Sequence, residues 1–168
     1  SLNPLIFGGH QESNIRPGTL NVAGIVGIGK AVEILSDTKK TKAENERIKK
    51  LRDKIFETLP KEIENTQING SLEKRAEGNA NLSFYGAEGE SMLLMLDQQG
   101  VAASTGSACS SGSLRPSHVL MAIHDDPILS HGSLRISLGR FSAQEDVDLL
   151  VKSLPPIIKK LREISPIK

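Results

Sequence analysis

"GSLRISLG", residues 132–139, alternates without a break. Leu134, Ile136 and Leu138 fall on one side, and Ser133, Arg135 and Ser137 on the other. A period of two predicts a half-buried strand. "NANLSF", residues 79–84, has the same pattern: Ala80, Leu82 and Phe84 point one way, Asn79, Asn81 and Ser83 the other. Arg135 therefore projects from a well-anchored backbone. A guanidinium held in that way can grip a carboxylate through two parallel hydrogen bonds. A surface salt bridge is the alternative use of the same residue.

Around these strands the pattern turns helical. Residues 41–59 place Ile48, Leu51, Ile55 and Leu59 on one stripe, and their many charges read as a solvated opposite face. Residues 89–100 read as a short helix closed by Gly100, and "VAAS", 101–104, as a short strand. "PSHVLMAI", 116–123, reads as a helix with Pro116 in its first turn. Residues 142–164 open with Ser142 and Glu145 at capping-box spacing. A Pro-Pro break at Pro155–Pro156 is expected to split this segment. Residues 19–35 predict a helix capped by Thr19, after the breakers Pro17 and Gly18. Gly24, Gly27 and Ala31 give that helix a smooth stripe suited to close packing. "GIVGIG" lacks the spacing and preceding strand of a dinucleotide-binding turn. The order of elements predicts an α/β or α+β unit, a small sheet covered by helices. "LNPLIFGG", 2–9, reads as the exit of a strand, so the chain is expected to begin inside a larger fold.

The only cysteine, Cys109, lies in "ASTGSACSSGS", 103–113, among neighbours too small and polar to wall it off. A thiol in such a loop is expected to be reachable, as a nucleophile must be. The opposite reading, a buried and inert cysteine, is common elsewhere but poorly served by these neighbours. "RPGT", 16–19, places a Gly-Thr step at a helix start, where backbone N–H groups and a hydroxyl can receive an anion. Most such threonines only cap.

Composition narrows the classes further. The 168 residues carry a net charge of +1, so nothing points to a nucleic-acid partner. No apolar run approaches a membrane span. A single cysteine forms no internal disulfide, which fits a reducing, cytoplasmic setting. His10, His118, His124 and His131 show no metal-ligand spacing, so no metal is expected. His10, between glycines and polar residues, is a further candidate to touch a ligand.

Three stretches then resemble one family: "GGHQESNIRPGTLNVAGIVGIGKA" (8–31), residues 79–123, and "GSLRISLGRFSAQEDVDLLV" (132–151). In order and spacing they are similar to the C-terminal portion of pyridoxal-phosphate-dependent cysteine desulfurases, of the class V aminotransferase-like group. The cysteine loop followed by "PSHVL" and "SLRISLGRF" is the most specific part. The resemblance implies the C-terminal part of a fold-type I pyridoxal-phosphate-dependent transferase. Residues 1–35 would be the end of the large domain with a connecting helix. Residues 36–168 would be the small domain carrying the cysteine loop. It implies sulfur removal from L-cysteine as an enzyme persulfide, with release of L-alanine. By the same resemblance Cys109 is the nucleophile and persulfide carrier, and Arg135 binds the substrate carboxylate. Thr19 reaches the cofactor phosphate of the neighbouring subunit in a homodimer. The partners implied are a scaffold for iron-sulfur cluster assembly or a tRNA-thiolation enzyme as sulfur acceptor.

The family's lysine that holds pyridoxal phosphate covalently belongs to the half that precedes this portion, so these residues alone are expected to be inactive. "GGHQE" and "ESNIRPGT" depart from the family's glycine-rich and basic pattern, with Ser13 replacing a basic residue. A related pyridoxal-phosphate-dependent lyase or aminotransferase, or a non-catalytic binding or dimerisation fragment, are the alternatives. Cys109 weighs against the first.

Overall fold

The computed structural model describes residues 2–105 and 116–167. The chain divides into two compact units, Ser1–Thr41 and Lys42–Lys168.

In the first unit, residues 2–9 form no strand. The strand exit expected there is replaced by exposed chain, because no neighbouring strand in the unit offers a ladder to join. A single 3-10 turn, Glu12–Asn14, follows, with all three residues at positive φ. Helix α1 spans Val22–Ser36. Its cap is Asn21, whose side chain accepts from the Gly24 N–H at 3.0 Å. Thr19 therefore does not cap the helix. Both residues are good caps, and the structure uses the one that directly precedes the first helical turn.

Helix α2, Thr38–Glu62, runs from the first unit into the second. It buries the stripe expected of it, Ile48, Leu51, Ile55 and Leu59, together with Phe56. Strands β1 (Thr66–Ile68), β2 (Asn79–Phe84) and β3 (Ser133–Ser137) form one antiparallel sheet in the order β1-β2-β3. Helices α3 (Gly89–Asp97), α4 (His118–His124), α5 (Pro127–His131) and α6 (Gln144–Ile164) complete the unit. Ala80, Leu82, Phe84, Leu134 and Ile136 of the sheet are buried in one core with side chains from α2, α3 and α6. The α/β class and the small sheet with covering helices are as the sequence implies.

Helix α4 starts at His118 after the N-cap Ser117, so Pro116 precedes the cap and is not in the first turn. Three more local expectations fail. Residues 101–104 make only one bridge, Ser104 to Arg135, and no continuous strand. The cap at the start of α6 is shifted by one residue: the Ala143 N–H donates to Asp146 Oδ2 at 2.8 Å, while Ser142 Oγ accepts from Gly139 N–H. Ser142 is thus spent on the preceding turn. Helix α6 also runs unbroken through Pro155 and Pro156. Each interior proline costs a helix about 3 kcal/mol. Three core side chains precede the pair (Val147, Leu150, Leu154) and three follow it (Ile157, Ile158, Leu161). At about 1.5–3 kcal/mol each, their burial requires one continuous stripe and outweighs the penalty.

Among the described residues no helix is long and apolar enough to cross a membrane.

Candidate functional site

Arg135 sits at the centre of β3, clamped from both sides. On one side its N–H donates to the Ser104 carbonyl at 2.6 Å, and its carbonyl accepts from the Ser104 N–H at 3.0 Å. On the other side it stands directly opposite Asn81 of β2. Since both backbone groups are spent on Ser104, the Asn81 pair is of the narrow kind, in which opposed side chains lie closest. One row across the polar face of the sheet therefore reads Asn69, Asn81, Arg135, Ser104, with the Asn69 N–H donating to the Asn81 carbonyl at 2.9 Å.

The arginines of this chain differ in how much of their guanidinium is used. Arg47 pairs with Glu44 and donates to the carbonyls of Arg140 and Ser142. Arg75 donates to the carbonyls of Ser71, Asn69 and Asn79, and its guanidinium lies 4.8 Å from the Phe56 ring centre. Burial holds the Arg75 pKa below the ordinary arginine value, with the positive charge of Arg52 acting in the same direction. Arg162 donates to the carbonyls of Tyr85 and Glu64. Arg135 is half-buried, and its Nε is fully shielded with no hydrogen-bond partner among the described residues. No salt bridge among the described residues includes it. The surface-salt-bridge alternative thus finds no partner there. A buried cationic donor left unpaired is costly, so the Arg135 Nε, without a partner among the described residues, stands open to an acceptor.

Asn81 and Asn69 were not singled out by sequence. Alternation puts Asn81 on the polar face, but only register reveals that it faces Arg135.

Thr19 lies in the first unit, exposed, directly after Gly18. Gly18 has φ +102, the left-handed region that glycine tolerates. Its N–H donates to Gln11 Oε1 at 3.1 Å, and its carbonyl accepts from Arg16 Nη1 at 2.9 Å. The Thr19 hydroxyl has no partner among the described residues. A donor hydroxyl beside a fixed turn and a nearby guanidinium fits the phosphate end of pyridoxal phosphate. His10 is occupied by a 2.5 Å contact between its Nδ1 and Asn14 Oδ1. Cys109 lies outside the described residues.

The aminotransferase class-V family profile matches residues 6–150. The chain is 50% identical over 169 residues to the cysteine desulfurase IscS of Dictyoglomus turgidum, covering 99% of this chain and 42% of that protein. It is 48% identical over 166 residues to the cysteine desulfurase IscS of Methanosarcina thermophila, covering 99% of this chain and 40% of that protein. Among solved structures, a NifS-like protein from Rickettsia africae superposes with a TM-score of 0.77 at 25% identity, over 94% of this chain and 40% of that one. The chain thus spans about two fifths of the length of the curated relatives it matches.

Proposed function

The chain belongs to the aminotransferase class-V family, and from that premise we propose that it is the C-terminal part of a pyridoxal-phosphate-dependent cysteine desulfurase. The observation that carries the substrate reading is the Arg135 guanidinium, whose shielded Nε has no partner among the described residues, on a strand braced from both edges. Such a group binds a planar carboxylate, the one feature common to all amino-acid substrates. The names of the relatives favour L-cysteine among those substrates.

In this reading each residue has a separate task. Arg135 holds the carboxylate and so fixes the amino acid. Thr19 donates its hydroxyl to the cofactor phosphate, across a homodimer interface. The cofactor, when bound, supplies an electron sink for the amino acid. Cys109, as thiolate, attacks the substrate sulfur. The carbon–sulfur bond breaks, a sulfur–sulfur bond forms on Cys109, and the carbon fragment takes up a proton and leaves as L-alanine. The persulfide then passes to an acceptor, a scaffold for iron-sulfur cluster assembly or a tRNA-thiolation enzyme. Residues 1–35 act as the end of the large domain with its connecting helix, and 36–168 as the small domain. The lone cysteine supports a cytoplasmic setting. These residues alone do not hold the cofactor covalently.

The test uses the full-length protein with pyridoxal phosphate and L-cysteine. Sulfide and L-alanine are expected in equal amounts when a thiol reductant is present, and Cys109→Ser is expected to abolish both while L-cysteine still binds. A full-length protein that releases neither product rejects the reading. Sulfide release that survives Cys109→Ser rejects the role of that thiol.

A further inference from the structure

Asn69, Asn81 and Arg135 form a polar row with an unequal balance of donors and acceptors. Asn69 is 4% exposed, and its Nδ2 donates to Asn81 Oδ1 at 2.7 Å and to Ser83 Oγ at 2.9 Å. The carbonyl side of the Asn81 amide is thereby engaged toward β1. What Asn81 has left is its amide nitrogen, which carries two hydrogens and has no acceptor among the described residues. Its narrow cross-strand partner, Arg135, has a shielded Nε with no partner among the described residues. Two neighbouring side chains thus present donors only, and no carboxylate of the described chain pairs with Arg135.

We propose that Asn81 is a second donor to the substrate carboxylate beside Arg135, and that Asn69 is the positioning residue that turns its amide that way. The inference rests on the reading of Arg135 given above. Arg135 supplies the charge, and Asn81 supplies direction. A guanidinium alone accepts a carboxylate along more than one edge, whereas a fixed amide at one flank selects a single approach. The row uses the Nδ2 of the buried Asn69 amide on Asn81 and Ser83, while its Oδ1 is buried without a partner among the described residues.

The experiment measures inhibition of the full-length holoenzyme by two fragments of cysteine. 3-Mercaptopropionate keeps the carboxylate and thiol and lacks the amine. Cysteamine keeps the amine and thiol and lacks the carboxylate. Asn81→Ala is expected to weaken 3-mercaptopropionate by about ten- to a hundredfold, as for loss of a hydrogen bond to a charged group, and to raise the KM for L-cysteine with little change in kcat. Cysteamine inhibition is expected to stay as in the wild type. Asn81→Asp keeps the shape, removes the donor and adds a negative charge opposite Arg135, and it is expected to weaken 3-mercaptopropionate more than Asn81→Ala does. Asn69→Ala is expected to weaken it by a smaller factor in the same direction. Asn81→Asp that binds 3-mercaptopropionate as tightly as the wild type overturns the proposal. So does a loss shared equally by both inhibitors, which marks a disturbed sheet. If Arg135→Lys weakens 3-mercaptopropionate while the Asn81 variants do not, Asn81 is removed and the role of Arg135 stands. If Arg135→Lys has no effect either, the underlying reading of Arg135 falls as well.

Discussion

The two faces of β2 and β3 are made by alternating residues of the same two strands and do opposite things. Along β2 and β3 the odd-numbered positions are Asn79, Asn81, Ser83, Ser133, Arg135 and Ser137, and the even-numbered ones are Ala80, Leu82, Phe84, Leu134 and Ile136. The even set is buried against α2, α3 and α6 and sets the stability of the unit. The odd set is graded. Ser83 and Ser133, at one end, are buried, while Ser137, at the other, is exposed. Between them lie the half-buried Asn81 and Arg135. The difference teaches that a strand can carry a reactive cation rigidly because its other face has already paid the entropy of holding it still.

That comparison can be broken by mutation. The largest effect is expected at Leu82, fully buried in the centre of the apolar face. Leu82→Ala should lower unfolding stability by about 2–5 kcal/mol in urea titrations of the full-length protein, while the KM of the remaining folded enzyme stays near the wild-type value. A KM that rises in step with the lost stability would mean that the faces are not independent. Arg135→Ala should do the reverse. It should cost about 2–3 kcal/mol in kcat/KM for L-cysteine and leave the urea midpoint almost unmoved, since no described residue depends on its side chain.

A smaller effect tests the helix that covers the apolar face. Glu88 caps α3 by accepting from the N–H groups of Glu90 and Ser91 at 2.8 and 2.7 Å. Burial pushes its carboxyl upward, but hydrogen bonds from Ser91 and Glu90, with the charge of His131, outweigh this and hold it below the ordinary value. A carboxyl lowered by folding stabilises above its unfolded pKa, and that contribution is lost as pH falls through the folded value. Glu88→Ala should therefore cost about 1 kcal/mol near neutral pH, and the gap from wild type should close in acid. A gap that persists unchanged below both values would show that charge is not the cause. The smallest effect belongs to Ser137, on the polar face but exposed. Ser137→Ala should shift both stability and KM by less than about 0.5 kcal/mol. A larger change in KM would extend the functional part of the face to its open end.

Much of this arrangement was legible in the residues. The stripe of α2 and the alternation of β2 and β3 are strong because each follows one period over several repeats. β1 was not legible. Thr66, Gln67 and Ile68 are too few to show a period, and they become a strand only by pairing with Phe84, Ser83 and Leu82. The unbroken α6 was hidden because local proline penalties are visible in sequence, whereas the six core side chains that override them act together only in the fold. The cap of α1 was misplaced by two residues because Thr19 and Asn21 are both suitable. For the site, Arg135 stood out as a cation on an apolar-backed strand. Asn81 and Asn69 did not, because facing pairs depend on register, and register joins Asn81 to Arg135 on a strand far downstream and to Asn69 just after a three-residue strand with no visible period.

Arg47, near the start of the second unit, is tied to the turn between β3 and α6. Its guanidinium gathers the Arg140 and Ser142 carbonyls from 93 and 95 positions downstream. Contacts so distant along the chain are slow to close. During synthesis β2 therefore emerges well before β3, its neighbour on one side. The Arg47 hydrogen bonds can therefore close only after β3 has been made, and they fasten the turn that directly follows it.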